Sequence, residues 1–176
     1  MIRFYSSTHG ICPKKACMNL ELLFSIAPYR WSAIVTAIFC GAIVGLERQL
    51  RGKPVGIRTS ALIVLGTYVF ITSSMLVAVD ITDPSRIIGQ VITGIGFLGA
   101  GVMLSKDGSV IGVTSAATIW ALAAIGVCIA IIDSYVAIKL SFIVVAILYG
   151  VDILEVYSSA FTRGVHSKYS RWRNRE

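Results

Sequence analysis

Two groups of polar side chains stand where long apolar runs begin and end, and they are where this chain could do chemistry. The first is Glu47, Arg48, Arg58 and Thr59, around the basic stretch ERQLRGKPVGIRT. A carboxylate among guanidinium groups forms charge-assisted contacts, so Glu47 is expected to pair with Arg58 or Arg48 and hold two helices together. The simpler reading of these residues is a solvated basic loop that sets topology. The second group is Asp83, Arg86 and Gln90. Their intervals of three and four place them on one face of a helix. Asp83 followed by Pro84 also reads as a helix start, with the carboxylate as N-cap and proline at the first helical position. Gln90 stands one to two turns inside an apolar run, where an amide without a partner is costly. It is expected to meet another span or a water-filled cavity.

A third stretch, TGIGFLGAG, contains Gly94, Gly96 and Gly99 in a literal G-x-G-x-x-G. A dinucleotide site needs a strand before such glycines, a water-exposed amphipathic helix after them and an acid about 20 residues on. Here the glycines lie in an uncharged run, and the next acid, Asp107, stands in a turn. Nucleotide binding is therefore excluded. The two histidines, His9 and His166, lie near opposite ends of the chain, and no H-E-x-x-H or G-x-S-x-G occurs. Cys12, Cys17, Cys40 and Cys128 lack metal-ligand spacing. No catalytic set, metal site or cofactor is expected, and the chain is not read as an enzyme.

The elements that position these residues follow from composition. The 176 residues are 56% hydrophobic and only 14% charged, where soluble domains carry about 25% charged residues. Mean hydropathy is +0.79. No charge falls in residues 59–79, 87–105 or 108–132, and each gap suits a bilayer span of roughly 17–25 residues. The fold class is thus an all-α polytopic bundle of about five transmembrane helices, with the lipid bilayer as its first partner. Residues 1–17 read as a disordered extension, 18–30 as a short interfacial helix, 31–154 as the bundle and 155–176 as a basic tail. Met18 is a candidate translation start. Ala33, Ala37, Gly41 and Gly45 recur every four residues and form a seam that lets another backbone approach closely. Gly94, Gly96, Gly99 and Gly101 crowd the third span and are likewise expected at helix contacts, with Trp120 filling a packing gap. The hydroxyls of Thr114, Ser115 and Thr118 are expected to bond back to their own helix. Asp133 is expected to cap the last span, and Asp152 and Glu155 to face the first loop.

The formal charge of +7 reads as basic loops held on one side of the membrane, and no nucleic-acid partner is expected. With the first loop, third loop and C-terminal tail together, one side holds ten lysines and arginines against six. That bias places the C-terminus in the cytoplasm.

The motifs GAIVGLERQLRGKPVGIRTSALIVLG, DPSRIIGQVITGIGFLGAGVML and GVTSAATIWALAAIG resemble those of the MgtC/SapB family of bacterial inner-membrane proteins. The resemblance covers about residues 20–154. Its pattern residues fall on Glu47, Arg48, Arg58, Thr59, Asp83, Arg86, Gln90, Gly94, Gly96, Gly99, Gly101, Thr114, Ala117 and Trp120, with Ser115 where the family more often has threonine. The resemblance implies a non-enzymatic membrane factor that supports adaptation to low magnesium or host stress. It would act by modulating other membrane proteins, F-type ATP synthase among them. Longer members bear a soluble C-terminal domain; here the basic tail matches the short, SapB-like form. A homo-oligomer is expected from the seam on the first span. The alternative function is a small oligomeric ion or solute transporter or channel, with Asp83, Arg86 and Gln90 along a path gated by Glu47 and Arg58.

Overall fold

The computed structural model describes residues 25–77, 84–106 and 109–157. Among these residues five helices follow one another: α1 (Trp31–Leu50), α2 (Ile57–Val77), α3 (Pro84–Val102), α4 (Val113–Ile131) and α5 (Ser134–Tyr157). Each is long and apolar enough to cross a membrane. Between α3 and α4 stand two short antiparallel strands, β1 (Leu104–Lys106) and β2 (Ser109–Ile111), with Leu104 opposite Ile111 and Lys106 opposite Ser109. The sequence predicts only a turn here. An Asp-Gly pair between short flanking segments is also a hairpin signal, and the flanks pair. The interfacial helix expected over 18–30 lies largely outside the described residues, as do the extension expected over 1–17 and most of the basic tail expected over 155–176, whose first three residues instead end α5. The last part of the 18–30 stretch, 25–30, is not helical but turns into α1.

The end of α1 follows from a Schellman motif. Gly52, at φ 62°, directs its N–H to the carbonyl of Gln49, and the Lys53 N–H returns to that of Arg48. Glycine takes the left-handed conformation at no steric cost, and both bonds satisfy carbonyls that the helix end leaves open. Pro54 follows, where a helix could not continue unkinked.

Helix α4 occupies the centre and packs against all four of the others. Its Ile119, Leu122, Ile125 and Ile129 are almost fully buried. Helix α1 lies against α2 and α5, while α3 rests on α4 and, more lightly, on α2. The α1–α2 contact is the closest. A Cβ on Gly41 would stand 2.5 Å from the Ala61 Cα, and one on Gly45 would stand 2.6 Å from the Ile57 Cα. Ala33, Ala37 and Cys40 complete the buried side of α1. In hydrocarbon, apolar burial gives little drive to association, so close backbone approach has to supply it. The outward faces carry Phe70, Phe97, Phe142 and Ile143, all exposed, which suits contact with lipid rather than water.

At the end opposite the 51–56 loop, Tyr29 and Ser73 share a hydrogen bond of 2.7 Å. The Tyr29 ring also meets Tyr68 edge-on, with centroids 6.3 Å apart. Residues 25–30 are thereby held against α2.

Substituting Gly41 with alanine is expected to cost about 1–3 kcal/mol through overpacking against backbone that cannot yield. Gly150→Ala, where a Cβ meets nothing within 4 Å, should leave stability unchanged or slightly raised. Thermal unfolding of both variants in detergent, followed by circular dichroism, checks the contrast.

Candidate functional site

The last turn of α1 carries two charged residues inward. Arg48 is 4% exposed and Glu47 is 7% exposed. Arg48 Nη2 donates to Ser115 Oγ at 2.5 Å, joining the end of α1 to the start of α4. Glu47 Oε1 lies 2.6 Å from Arg51 Nε, one turn further on. That is an ion-pair distance without hydrogen-bond alignment, since among the described residues neither Glu47 carboxylate oxygen has a hydrogen-bond donor. Arg48 Nε likewise has no acceptor among them. The Arg51 guanidinium in turn stands over the Tyr149 ring, 5.0 Å from its centroid. A buried charge is tolerated when paired, and here one carboxylate among two guanidiniums, with a hydroxyl and an aromatic face, ties α1, α4 and α5 at one end of the bundle.

Arg58 and Thr59 do not join this cluster. The expectation that Glu47 pairs with Arg58 or Arg48 gives way to the Arg51 pair. Arg51 is four residues from Glu47, on the same side of the chain's helical path. At the start of α2 it is Ile57 that meets α1, against Gly45, and Arg58 one position on is exposed. Gln49 accepts the Ile57 N–H at 3.4 Å and so joins the two helix ends.

Arg58 and Thr59 instead open a groove of about 880 Å³ between α2 and α3. Its walls are apolar along most of their length, through Leu62, Ile63, Phe70 and Leu98, and its far end carries Ser73, Ser74 and Gln90. Gln90 thus faces a cleft rather than another span. Ser74 donates to the Ile71 carbonyl at 2.7 Å, and Ser73 is engaged with Tyr29, so these hydroxyls are satisfied locally. Arg86 is exposed, and Asp83 lies outside the described residues.

The glycine cluster behaves differently from expectation. Among the described residues of this chain only Gly99 of the four meets a neighbouring helix, with Ala116 Cβ 3.6 Å from where its own would stand; Gly94, Gly96 and Gly101 face open space. The reason is the position of α3 at the edge of the bundle, where only one side reaches α4. Trp120 is a second correction. It is 56% exposed, on the outward side of α4, and fills no gap between helices of this chain. Thr118 bonds back to the Thr114 carbonyl at 2.8 Å, whereas Ser115 receives Arg48. Asp133 Oδ2 accepts the Tyr135 N–H at 3.3 Å, at the start of α5. The side chains of Asp152 and Glu155 lie outside the described residues. Arg51, Tyr149 and Gln49 are the functional-end residues that the sequence reading missed. Cys40 and Cys128 are buried and unbonded to each other, in keeping with small apolar side chains. Among the described residues no three His, Cys, Asp or Glu side chains come together.

With this geometry in view, comparison with known proteins is specific. The profile of the MgtC family matches residues 34–157. The chain is 48% identical over 103 residues to the "Putative magnesium transporter YhiD" of Escherichia coli (strain K12), covering 54% of this chain and 47% of that protein. It is 47% identical over 94 residues to protein MgtC of Salmonella typhimurium (strain LT2), covering 53% and 40%. Protein MgtC of Brucella abortus (strain 2308) is 39% identical over 114 residues, covering 64% and 48%. The chain spans about half the length of the curated relatives it matches. No solved structure matches it.

Coupling between Arg48 and Ser115 can be measured directly. Ser115→Ala is expected to destabilise the protein by about 1–2 kcal/mol, near the upper end for polar contacts between membrane helices, and to have little effect once Arg48 is glutamine. A double-mutant cycle on unfolding in mixed micelles checks this; additive effects would mean the contact contributes nothing of its own.

Proposed function

The chain belongs to the MgtC family, and from that premise we propose that it is a non-enzymatic inner-membrane protein that works by docking against other membrane proteins. The observation that carries this reading is the outward face of α3. Arg86, Gly89, Thr93, Gly96 and Ala100 are all exposed there, and their spacing puts them along one side of the helix. A Cβ on Gly89 or Gly96 would meet nothing. In a bilayer such a row of small residues lets a second helix come close, and polar groups beside it add hydrogen bonds or charge contacts. Arg86 supplies a cation at one end of the row. The partner is either another copy of this chain or a different membrane protein. By resemblance F-type ATP synthase is one candidate, and adaptation to low magnesium or host stress is the expected setting. The lysines and arginines of the 51–56 loop and the C-terminal tail support a cytoplasmic position for both.

A second reading, a small oligomeric transporter, draws on two facts. One is the name of the Escherichia coli relative, a putative magnesium transporter. The other is the buried Glu47 carboxylate, whose oxygens have no hydrogen-bond donor among the described residues and which a cation would reach by displacing Arg51.

A photo-crosslinking residue in place of Thr93, on the same exposed face, is expected to capture a defined membrane protein, or a second copy, in growing cells. Gly96→Leu together with Gly89→Leu should abolish that product and any growth advantage in low magnesium while leaving the bundle folded. Capture that persists in the double variant would remove α3 as the docking face. For the second reading, proteoliposomes loaded with a magnesium-sensitive dye should show flux that Glu47→Gln reduces at least tenfold; absence of flux eliminates it.

A further inference from the structure

The groove between α2 and α3 is a different face from the row of small residues on α3, and it has its own chemistry. Its loop end presents Arg58, exposed and paired with no carboxylate among the described residues. Thr59 stands beside it, and both are in the first turn of α2, where the helix dipole favours negative charge. Below them the walls are hydrocarbon. From Thr59 to Ser74 the groove follows α2 for about 22 Å at 1.5 Å per residue, which exceeds half the bilayer's apolar core of about 30 Å. Midway, Gly66 and Gly94 both line the groove, and a Cβ on either would meet nothing within 4 Å. Side chains at these two positions would fill the cleft; glycines keep it open. The volume of about 880 Å³ lies within the range of roughly 300–1,000 Å³ typical of ligand pockets.

We propose that this groove holds an anionic phospholipid, with its phosphate on Arg58 and Thr59 and one acyl chain lying past Gly66 and Gly94 toward Gln90. The charge arrangement selects this occupant. A single cation at the mouth and apolar walls beneath it match a molecule with one anionic head and a long hydrocarbon tail. Gln90 lies at the far end, beyond the length that tail needs.

The test uses the full chain purified from bacterial membranes in mild detergent, washed, and extracted for phospholipid analysis by mass spectrometry. Wild-type protein is expected to retain anionic phospholipid enriched at least fivefold over its share of the membrane. Arg58→Gln should lower that retention about fivefold, the effect of losing one basic residue at a membrane surface, and Arg58→Lys should restore most of it. Gly66→Leu with Gly94→Leu should displace bound phospholipid of every headgroup. Arg58 is exposed, so its variant tests the proposal even where the filled groove alters folding. Phospholipid retained in bulk proportions, or retention indifferent to Arg58→Gln, overturns the proposal. So does a dimer, free of phospholipid, that the two leucines dissociate, because the groove would then be occupied by a second copy.

Discussion

The close approach of α1 to α2 is the constraint on which the rest of the bundle depends. Gly41 and Gly45 bring the two backbones to a separation that no side chain would allow. That contact fixes Ile57 as the residue of α2 that faces α1. It therefore turns Arg58 outward and leaves the inner end of α1 to Glu47 and Arg48. The Schellman turn at Gly52 keeps the connection short, so the register of the two helices is set at the seam and held at the loop. With α1 and α2 locked together, α4 has one position that contacts both, and it becomes the centre.

The charged end of α1 is then explained by what α4 offers. A guanidinium this deeply buried would be costly alone, but Ser115 meets it from the first turns of α4, and Glu47 lies beside it along the chain. The carboxylate faces Arg51 rather than water, and Arg51 rests on Tyr149. Three helices are thus joined by groups that are individually expensive to bury. Removing one leaves the others unpaired, which makes this end more specific in its geometry than an apolar contact would be. The seam gives close packing, and the charged cluster gives one particular arrangement of it.

How much of this could be read from the residues depended on whether the signal was local. The five spans were legible because charges are absent from them, and the seam because small residues recur every four positions. The Glu47–Arg51 pair was missed for a definite reason. Reading the stretch from Glu47 onward as a basic loop leaves Arg51 without a helical register, whereas α1 runs to Leu50 and brings Arg51 within reach. Ser115 reads locally as bonding to its own helix, because nothing local says that α4 begins beside the end of α1. The outward glycines of α3 and the exposed Trp120 were not legible either. Lipid and protein interior are both apolar, so composition alone does not separate a helix face that meets protein from one that meets acyl chains.

The placement of α3 has one more consequence. It leans on α4 and only lightly on α2, and among the described residues it places one, Ile95, in the buried core, as α5 places Ala137, while α1, α2 and α4 supply most of the rest. Resistance to local opening follows density of contact, so the bundle divides into a stiff trio and two more weakly attached outer helices. Amide hydrogens along α3 would exchange with solvent deuterium ahead of those in α4. A binding event on α3 would then change the freedom of that outer helix while the trio keeps its shape.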